Sequence, residues 1–502
     1  MLSKVRTCVL NGIEGVDVEV ETDISIGLPN FNIVGLADTS IRESKDRVRA
    51  AIKNSGYQFP ISRITTNLAP ANVRKEGSHL DLPIALGIMK STGEIRGEIS
   101  EMAFIGELSL DGKLKRIDGA LPAVLYLKKS GVRRVVVPEE NKREAGVVRG
   151  IEVIAPESLG ELVGYLNGES DIDPYTCELA RPRSLLGLDY SEVKGQLAAK
   201  RAIEIAAAGF HNMIMIGPRG SGKTMLAKRI PSIMPEPTFE ECLEMTNIYS
   251  VSGLLGESCL ISERPFRSPH HTVSSAALSG GGINPKPGEL SLAHKGVLFL
   301  DELPEFKKPS IEVLRQPLED REINISRVNG KTKYPCDIML VAAMNPCPCG
   351  NYGTTKNCSC SQFQVDRYIS RISGPVLDRL DIHVEVGRLE YEELEGEMVS
   401  ESSERIKKRV ERAREIQKER QGEGVYNSRF STDQVKRYCA LDSETKKIMK
   451  EAFKAMGLSA RSYDKIIKIS RTIADLAEEE NIKRDHVLEA VQYRSLERKY
   501  WR

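Results

Sequence analysis

Residues 217–224 read Gly217-Pro218-Arg219-Gly220-Ser221-Gly222-Lys223-Thr224, a spacing whose chemistry is the binding of a triphosphate. In such a loop the glycines let backbone N–H groups wrap phosphate oxygens. Lys223 then reaches the β- and γ-oxygens, and the Thr224 hydroxyl holds Mg²⁺. A second chemical group closes the apolar run Val297-Leu298-Phe299-Leu300, which ends in Asp301-Glu302. Asp301 would complete the Mg²⁺ shell, while Glu302 would orient and deprotonate an attacking water. The loop in its strand–helix setting already reads as a nucleoside triphosphate site; a strand ending in Asp-Glu is common alone, but the two motifs in this order read as machinery for ATP hydrolysis. A third apolar run, Ile338 to Ala343, leads to Met344-Asn345. Asn345 there can polarise the same water, or it can form a turn before Pro346.

Hydrolysis also calls for positive charge at the transition state. Arg379 stands in Gly374-Pro375-Val376-Leu377-Asp378-Arg379-Leu380-Asp381, and Arg461 in Leu458-Ser459-Ala460-Arg461. An arginine supplied across a subunit boundary is worth roughly 10³–10⁵ in rate. A surface ion pair is worth at most ~1 kcal/mol. Spacing alone favours the surface ion pair for each arginine.

Two further clusters carry other chemistry. Cys347-Pro348-Cys349 and Cys358-Ser359-Cys360 bring four thiols into one loop that also holds Gly350, Asn351 and Gly353. Four thiolates can hold Zn²⁺ tetrahedrally, although this spacing is narrower than usual, and reduced free thiols are the alternative. Cys8, Cys177, Cys242, Cys259, Cys336 and Cys439 are scattered and read as small apolar residues. Between Arg321 and Pro335, Ile323 and Ile325 alternate with polar residues before Asn329-Gly330, the signature of a tight β-hairpin. Arg327, Lys331 and Lys333 gather near its tip. Such a cluster grips DNA phosphates without reading sequence, or it merely discourages edge pairing.

These groups need elements to hold them. Met213-Ile214-Met215-Ile216 predicts a buried strand entering the phosphate loop, and Met225-Leu226-Ala227-Lys228 the helix leaving it. The 502 residues predict about three domains. Residues 1–165 mix strand and helix patterns: valines alternate with acids from Val16 to Val20, Ile41 to Lys53 is helical, Leu82 to Met89 is an apolar helix, and Val132 to Val137 is a strand. A breaker-rich linker follows over 166–185, then a nucleotide core over 186–395, then a charged helical lid over 396–502. In the lid, Ser459 caps a helix whose Tyr463, Ile466, Ile467, Ile473 and Leu476 form one stripe. Lys and Arg total 72 against 71 for Asp and Glu, so contact with nucleic acid must come from a local patch. The apolar runs fall short of a membrane span, the N-terminus lacks a signal-peptide core, and ten cysteines in a charged chain argue against a disulfide scaffold. A soluble cytoplasmic protein without a membrane partner is expected.

A larger pattern resembles a known family. It runs through Val193-Lys194-Gly195-Gln196, the phosphate loop, Phe266-Arg267-Ser268-Pro269-His270-His271-Thr272 and Gly288-Glu289-Leu290-Ser291-Leu292-Ala293-His294. Asp301-Glu302, Ala343-Met344-Asn345-Pro346 and Leu377-Asp378-Arg379 complete it. This order is similar to the magnesium-chelatase-like branch of the AAA+ ATPases, and more narrowly to the YifB/ComM proteins, over nearly the whole chain. The resemblance implies an α/β chain with a Lon-protease-like N-terminal domain, an AAA+ core with an insertion over Pro265 to Gly288, and a helical lid. It implies a homo-oligomer, usually a hexamer, with ATP between subunits. Asn345 becomes the first sensor, Arg379 the arginine finger and Arg461 the second sensor, acting in cis or in trans.

ComM-like function implies branch migration of DNA joints, on single-stranded or branched DNA, during uptake and recombination. A rival from another class is a chelatase-type remodeller of a protein partner that inserts Mg²⁺ into a porphyrin. A Lon-type peptidase would need a Ser–Lys dyad. The corresponding positions fall near Gly77 and Leu121, leaving Ser78 with Lys75 as the sole substitute. A platform for DNA binding or ring assembly fits the N-terminal domain better, with Arg74 and Lys75 facing nucleic acid. The loop setting of His270 and His271 favours a structural or DNA-facing role over metal binding.

Overall fold

The computed structural model describes residues 2–177, 187–282, 285–327, 330–353, 358–388 and 400–501. The chain divides into two compact units: one holds 1–181 with 239–261, the other 182–238 with 262–502. Part of the expected linker, 178–185, and the first residue of the expected core lie outside the described residues.

Among the described residues, the first unit is built on nine strands: β1 (Leu2–Asn11), β2 (Glu14–Ser25), β3 (Asn30–Val34), β4 (Arg63–Ala69), β5 (Met102–Phe104), β6 (Glu107–Leu108), β7 (Leu114–Lys115), β8 (Arg134–Val136) and β9 (Glu152–Ile154). Seven of them form one mixed sheet in the order β3-β4-β2-β1-β5-β8-β9. The Val16–Val20 alternation buries Val18 and Val20, as a strand with one covered face requires. The helix Thr39–Asn54 starts where the Asp38 carboxylate accepts the Ile41 N–H at 2.9 Å. The helix Asp81–Thr92 is buried over residues 81–89, so its apolar run covers the sheet.

One segment joins this unit from far along the sequence. The helix Phe239–Val251 packs beside the helix Ala120–Lys129. Ser250 donates from its hydroxyl to Glu144 at 2.7 Å, its carbonyl accepts the Gly119 N–H at 3.1 Å, and Arg116 bonds the Gly256 carbonyl at 2.7 Å. No periodicity announces this excursion, because a helix pattern says which face is buried and not what covers it.

The second unit carries β10 (Met213–Ile216), β11 (Phe266–Arg267), β12 (Gly280–Gly281), β13 (Lys286–Pro287), β14 (Val297–Leu300), β15 (Glu322–Arg327), β16 (Gly330–Pro335), β17 (Met339–Met344) and β18 (Ile382–Glu385). Five make a parallel sheet in the order β11-β14-β17-β10-β18. Every residue of β10, β14 and β17 is buried, which explains their unbroken apolar runs: both faces of a parallel sheet are covered. The helices Ser403–Gln421 and Ala460–Leu476 supply Ile406, Val410, Ile466, Ile467 and Ile473 to the core that also buries Met213, Val341 and Ile382. The expected lid thus shares one core with the sheet. Ser459 caps its helix by accepting the Ser462 N–H at 3.1 Å. Asp475 is fully buried and accepts from Arg420, Arg471 and Asn427 at 2.6 to 3.0 Å, so its charge is paired in place.

Candidate active site

Strand order decides which residues meet. β17 lies between β10 and β14, with Ile216 opposite Met344 and Leu300 opposite Ala342. The phosphate loop, Asn345 and Asp301-Glu302 therefore emerge side by side at the carboxyl edge of the sheet, where open α/β sheets bind ligands. Lys223 Nζ is bonded to the carbonyls of Gly217 and Pro218, both at 2.8 Å, and lies 3.4 Å from Asn345 Oδ1. Thr224 Oγ1 donates to Asp301 Oδ2 at 2.6 Å. Burial pushes the Lys223 ammonium down to about 8, against the carboxylates of Asp301 and Glu302, which favour its charge.

The loop fits a polyphosphate. Gly220 and Gly222 have φ of +77° and +87°, and a Cβ at either would meet nothing within 4 Å. Glycine allows this backbone to turn its N–H groups along the loop at the helix start. Thr224 and Asp301 are the residues that would hold Mg²⁺, a hard cation suited to one hydroxyl, one carboxylate and phosphate oxygens. Bound there, the ion would neutralise charge on the phosphates. Beside the loop is a cavity of about 630 Å³ lined by residues including Gly195, Gln196, Leu197, Glu385, Gly387 and Arg388. Gln196 ties its wall to the loop by donating to the carbonyls of Gly387 at 2.8 Å and Ser221 at 3.4 Å. Nothing in the sequence around Gln196 announces this contact, which joins residues far apart in the chain.

Glu302 sits at the turn leaving β14 with φ of +51°, its N–H bonded to Asp301 Oδ1 at 2.9 Å. Its carboxylate lies 3.6 Å from His271 Nδ1, and that ring packs on His270 at 4.0 Å between centroids. A position facing Glu302 was not expected for His271. The two are far apart in sequence, and only the pairing of β11 with β14 brings their strands together.

Arg379 lies elsewhere. Met213 pairs with Ile382, so Arg379 precedes β18 at the end of the sheet opposite Lys223. The four residues of β10 separate the two edges by about 13 Å at ~3.3 Å per residue. Arg379 bonds the carbonyls of Arg315 at 2.9 Å and Pro375 at 2.6 Å, and the carboxylate of Glu319. Arg461 is exposed and reaches the neighbouring Asp378 at 3.3 Å. The two arginines thus share one face. The turn between them is clamped: fully buried Arg494 donates to the Leu380 carbonyl at 2.6 Å, and Lys465 to the same carbonyl at 3.0 Å. Burial alone would raise the Asp381 carboxyl, but Lys465 and His211 hold it well below the usual range.

The four-cysteine group assembles as the motif requires. All four sulfurs lie within 4.8 Å of one another, with Cys347–Cys349 at 3.3 Å, Cys347–Cys358 at 3.7 Å and Cys349–Cys358 at 3.6 Å. A tetrahedron with Zn–S arms of ~2.3 Å has edges of ~3.8 Å, so the donor set fits that ion. The Tyr352 N–H donates to Cys347 Sγ at 3.3 Å, the kind of support a ligating thiolate uses.

Comparison with known proteins accords with this geometry. Residues 189–394 match the family described as magnesium chelatase, subunit ChlI; 20–141 match subunit ChlI of Mg-chelatase, and 400–494 its C-terminal region. Competence protein ComM of Haemophilus influenzae is 41% identical over 495 residues, covering 97% of this chain and 96% of its own. The chain belongs to the ComM/YifB family of magnesium-chelatase-like AAA+ proteins. YifB of Escherichia coli is also 41% identical, over 503 residues covering 99% of this chain and 98% of its own. Lon protease 2 of Bacillus subtilis is 26% identical over 180 residues, or 32% of each chain, in keeping with a Lon-like fold in a ComM/YifB protein.

A Lon-like fold does not bring a Lon-like dyad. Ser78 donates its hydroxyl to Glu107, and the Lys75 ammonium bonds the Pro70 carbonyl. Lys75 is also fully buried, which corrects the expectation that it faces nucleic acid. Arg74 is exposed and paired with Glu76 at 2.9 Å. No helix among the described residues is long and apolar enough to cross a membrane.

Proposed function

We propose that this ComM/YifB protein is a cytoplasmic, ring-forming ATPase, usually a hexamer, that drives branch migration of DNA joints during recombination and uptake of exogenous DNA. The phosphate loop binds ATP, and Thr224 with Asp301 holds Mg²⁺. Glu302 activates water, and Asn345 senses the γ-phosphate. Arg379 serves a neighbouring subunit's ATP, as its place at the far edge of the sheet supports. Arg461, tied to Asp378 beside it, acts in trans with it. A structural zinc in the four-cysteine loop completes the reading.

The observation that carries the DNA reading is the hairpin β15–β16, inserted between the Asp301-Glu302 strand and the Asn345 strand. Ile323, Ile325, Thr332 and Tyr334 bury one face, and Tyr334 anchors it by donating to the Pro285 carbonyl at 2.6 Å. Lys331 and Lys333 lie on the opposite, exposed face, paired in register with Ser326 and Asn324. The tip at 328–329 and the Arg327 side chain lie outside the described residues. Lys333 also meets Glu322 at 3.2 Å, so a phosphate must compete with that carboxylate. Similarity from end to end to a protein named for competence supports the same reading. The ChlI matches favour, for the core, the alternative of a chelatase-type protein remodeller.

The test replaces Arg327, Lys331 and Lys333 by alanine and measures affinity for single-stranded and branched DNA at several salt concentrations. Affinity should fall, and the log–log salt slope should become shallower by up to ~0.9 for each engaged duplex phosphate lost. Branch migration should collapse while ATP binding persists. Wild-type movement of branched DNA by the triple variant would remove the hairpin as the grip. If the unmodified protein binds and remodels no DNA, protein remodelling takes the place of this function.

A further inference from the structure

The four-cysteine loop does not stand apart from the nucleotide site; it touches the three segments that frame it. Cys347 is fully buried and follows Asn345 by two residues, so its position sets the tip of β17. From the phosphate loop, Arg219 donates to the Pro348 carbonyl at 3.3 Å. Its side chain lies over Gly350, where φ is +85° and a Cβ would come 3.3 Å from Arg219 Cγ. From the segment leaving β18, Arg388 donates to Asn351 Oδ1 at 3.3 Å. Lys499 closes the ring of contacts: it lies 3.9 Å from where a Gly353 Cβ would stand and pairs with Glu385 at 2.8 Å. Arg388 and Glu385 both line the cavity beside the phosphate loop. The loop therefore meets the phosphate loop, the sensor tip and the cavity lip of its own subunit.

We infer that zinc held by Cys347, Cys349, Cys358 and Cys360 is the strut of the nucleotide site, so that ATP affinity depends on a metal that never touches ATP. This rests on the zinc reading above. The physical reason is the shortness of the connections. Four thiolates drawn onto one ion fix the backbone of the described segments that carry them, 347–353 and 358–360. With that backbone fixed, the Pro348 carbonyl and Gly350 form a stop against which Arg219 and the phosphate loop rest. Asn345, two residues before the first ligand, is held at 3.4 Å from Lys223. Without the ion, four thiols within 4.8 Å have no common partner, and the loop is free to spread. Asn345 and Arg219 then lose their support together. The strut acts within one subunit, on nucleotide binding.

The experiment uses the full-length protein purified under reducing, chelator-free conditions. Zinc content is measured together with binding of a fluorescent ATP analogue, before and after treatment with a zinc-selective chelator in excess Mg²⁺, and again after zinc is restored. Far-UV circular dichroism follows the fold, and Cys349→Ser with Cys358→Ser provides a second route to the metal-free state. About one zinc per chain is expected. Stripping it should weaken analogue binding by about tenfold, equivalent to ~1.4 kcal/mol, with circular dichroism unchanged and affinity recovered on adding zinc. Absence of zinc from the purified protein would end the zinc reading itself. Zinc present, but analogue affinity unchanged by stripping, would overturn the strut and leave that reading intact. If the double variant fails to fold, the chelated wild type decides. Global unfolding of the chelated wild type would also overturn the strut, because the metal would then staple the whole unit.

Discussion

Glu302→Gln is expected to bind ATP as the unmodified protein does while turnover falls by about 10²–10⁴, the range of a lost general base. The amide keeps the shape of the side chain, and Thr224 and Asp301 remain to hold Mg²⁺. What disappears is the capacity to take a proton from water. Lys223→Ala should behave differently, because Lys223 is the buried cation of the phosphate loop and its removal should abolish binding itself. Equilibrium binding of a nucleotide analogue and steady-state phosphate release distinguish the two variants. Turnover near wild type in Glu302→Gln would remove Glu302 from its assigned role. His271, 3.6 Å away, would then be the group to replace next.

Arg379→Ala should lower turnover by roughly 10³–10⁵ if the guanidinium serves a neighbour's ATP. The alternative, a surface ion pair with Glu319, predicts a change in stability of at most ~1 kcal/mol and little change in rate. Mixing separates these cleanly. In rings assembled from Arg379→Ala and Glu302→Gln subunits, some interfaces pair an intact arginine with an intact glutamate. Those interfaces should recover hydrolysis that neither variant shows alone. Absence of recovery in mixtures shown to co-assemble would mean that Arg379 does not act across a boundary. Repeating the mixture with Arg461→Ala tests whether the two arginines face the same neighbour, as their common link to Asp378 proposes.

The chemistry of the phosphate loop is written locally, and for that reason it was legible without a fold. Gly220, Gly222, Lys223 and Thr224 work through backbone freedom and short reach, so eight consecutive residues specify the cradle. The strands β10, β14 and β17 were equally plain, since burial on both faces demands unbroken apolar runs. The cysteine pairs announced a cluster because four thiols within fourteen residues of one loop cannot lie far apart. Strand order was another matter. That β17 lies between β10 and β14 depends on how helices on both faces pack. Only this order places Asn345 between Lys223 and Asp301. Register likewise sends Arg379 to the far edge of the sheet from Lys223, although both flank paired strands. The meeting of His271 with Glu302, the support of Arg219 by Pro348, and the burial of Lys75 arise from contacts between residues distant in sequence or from side-chain direction. Periodicity carries neither, so these were decided by tertiary packing alone.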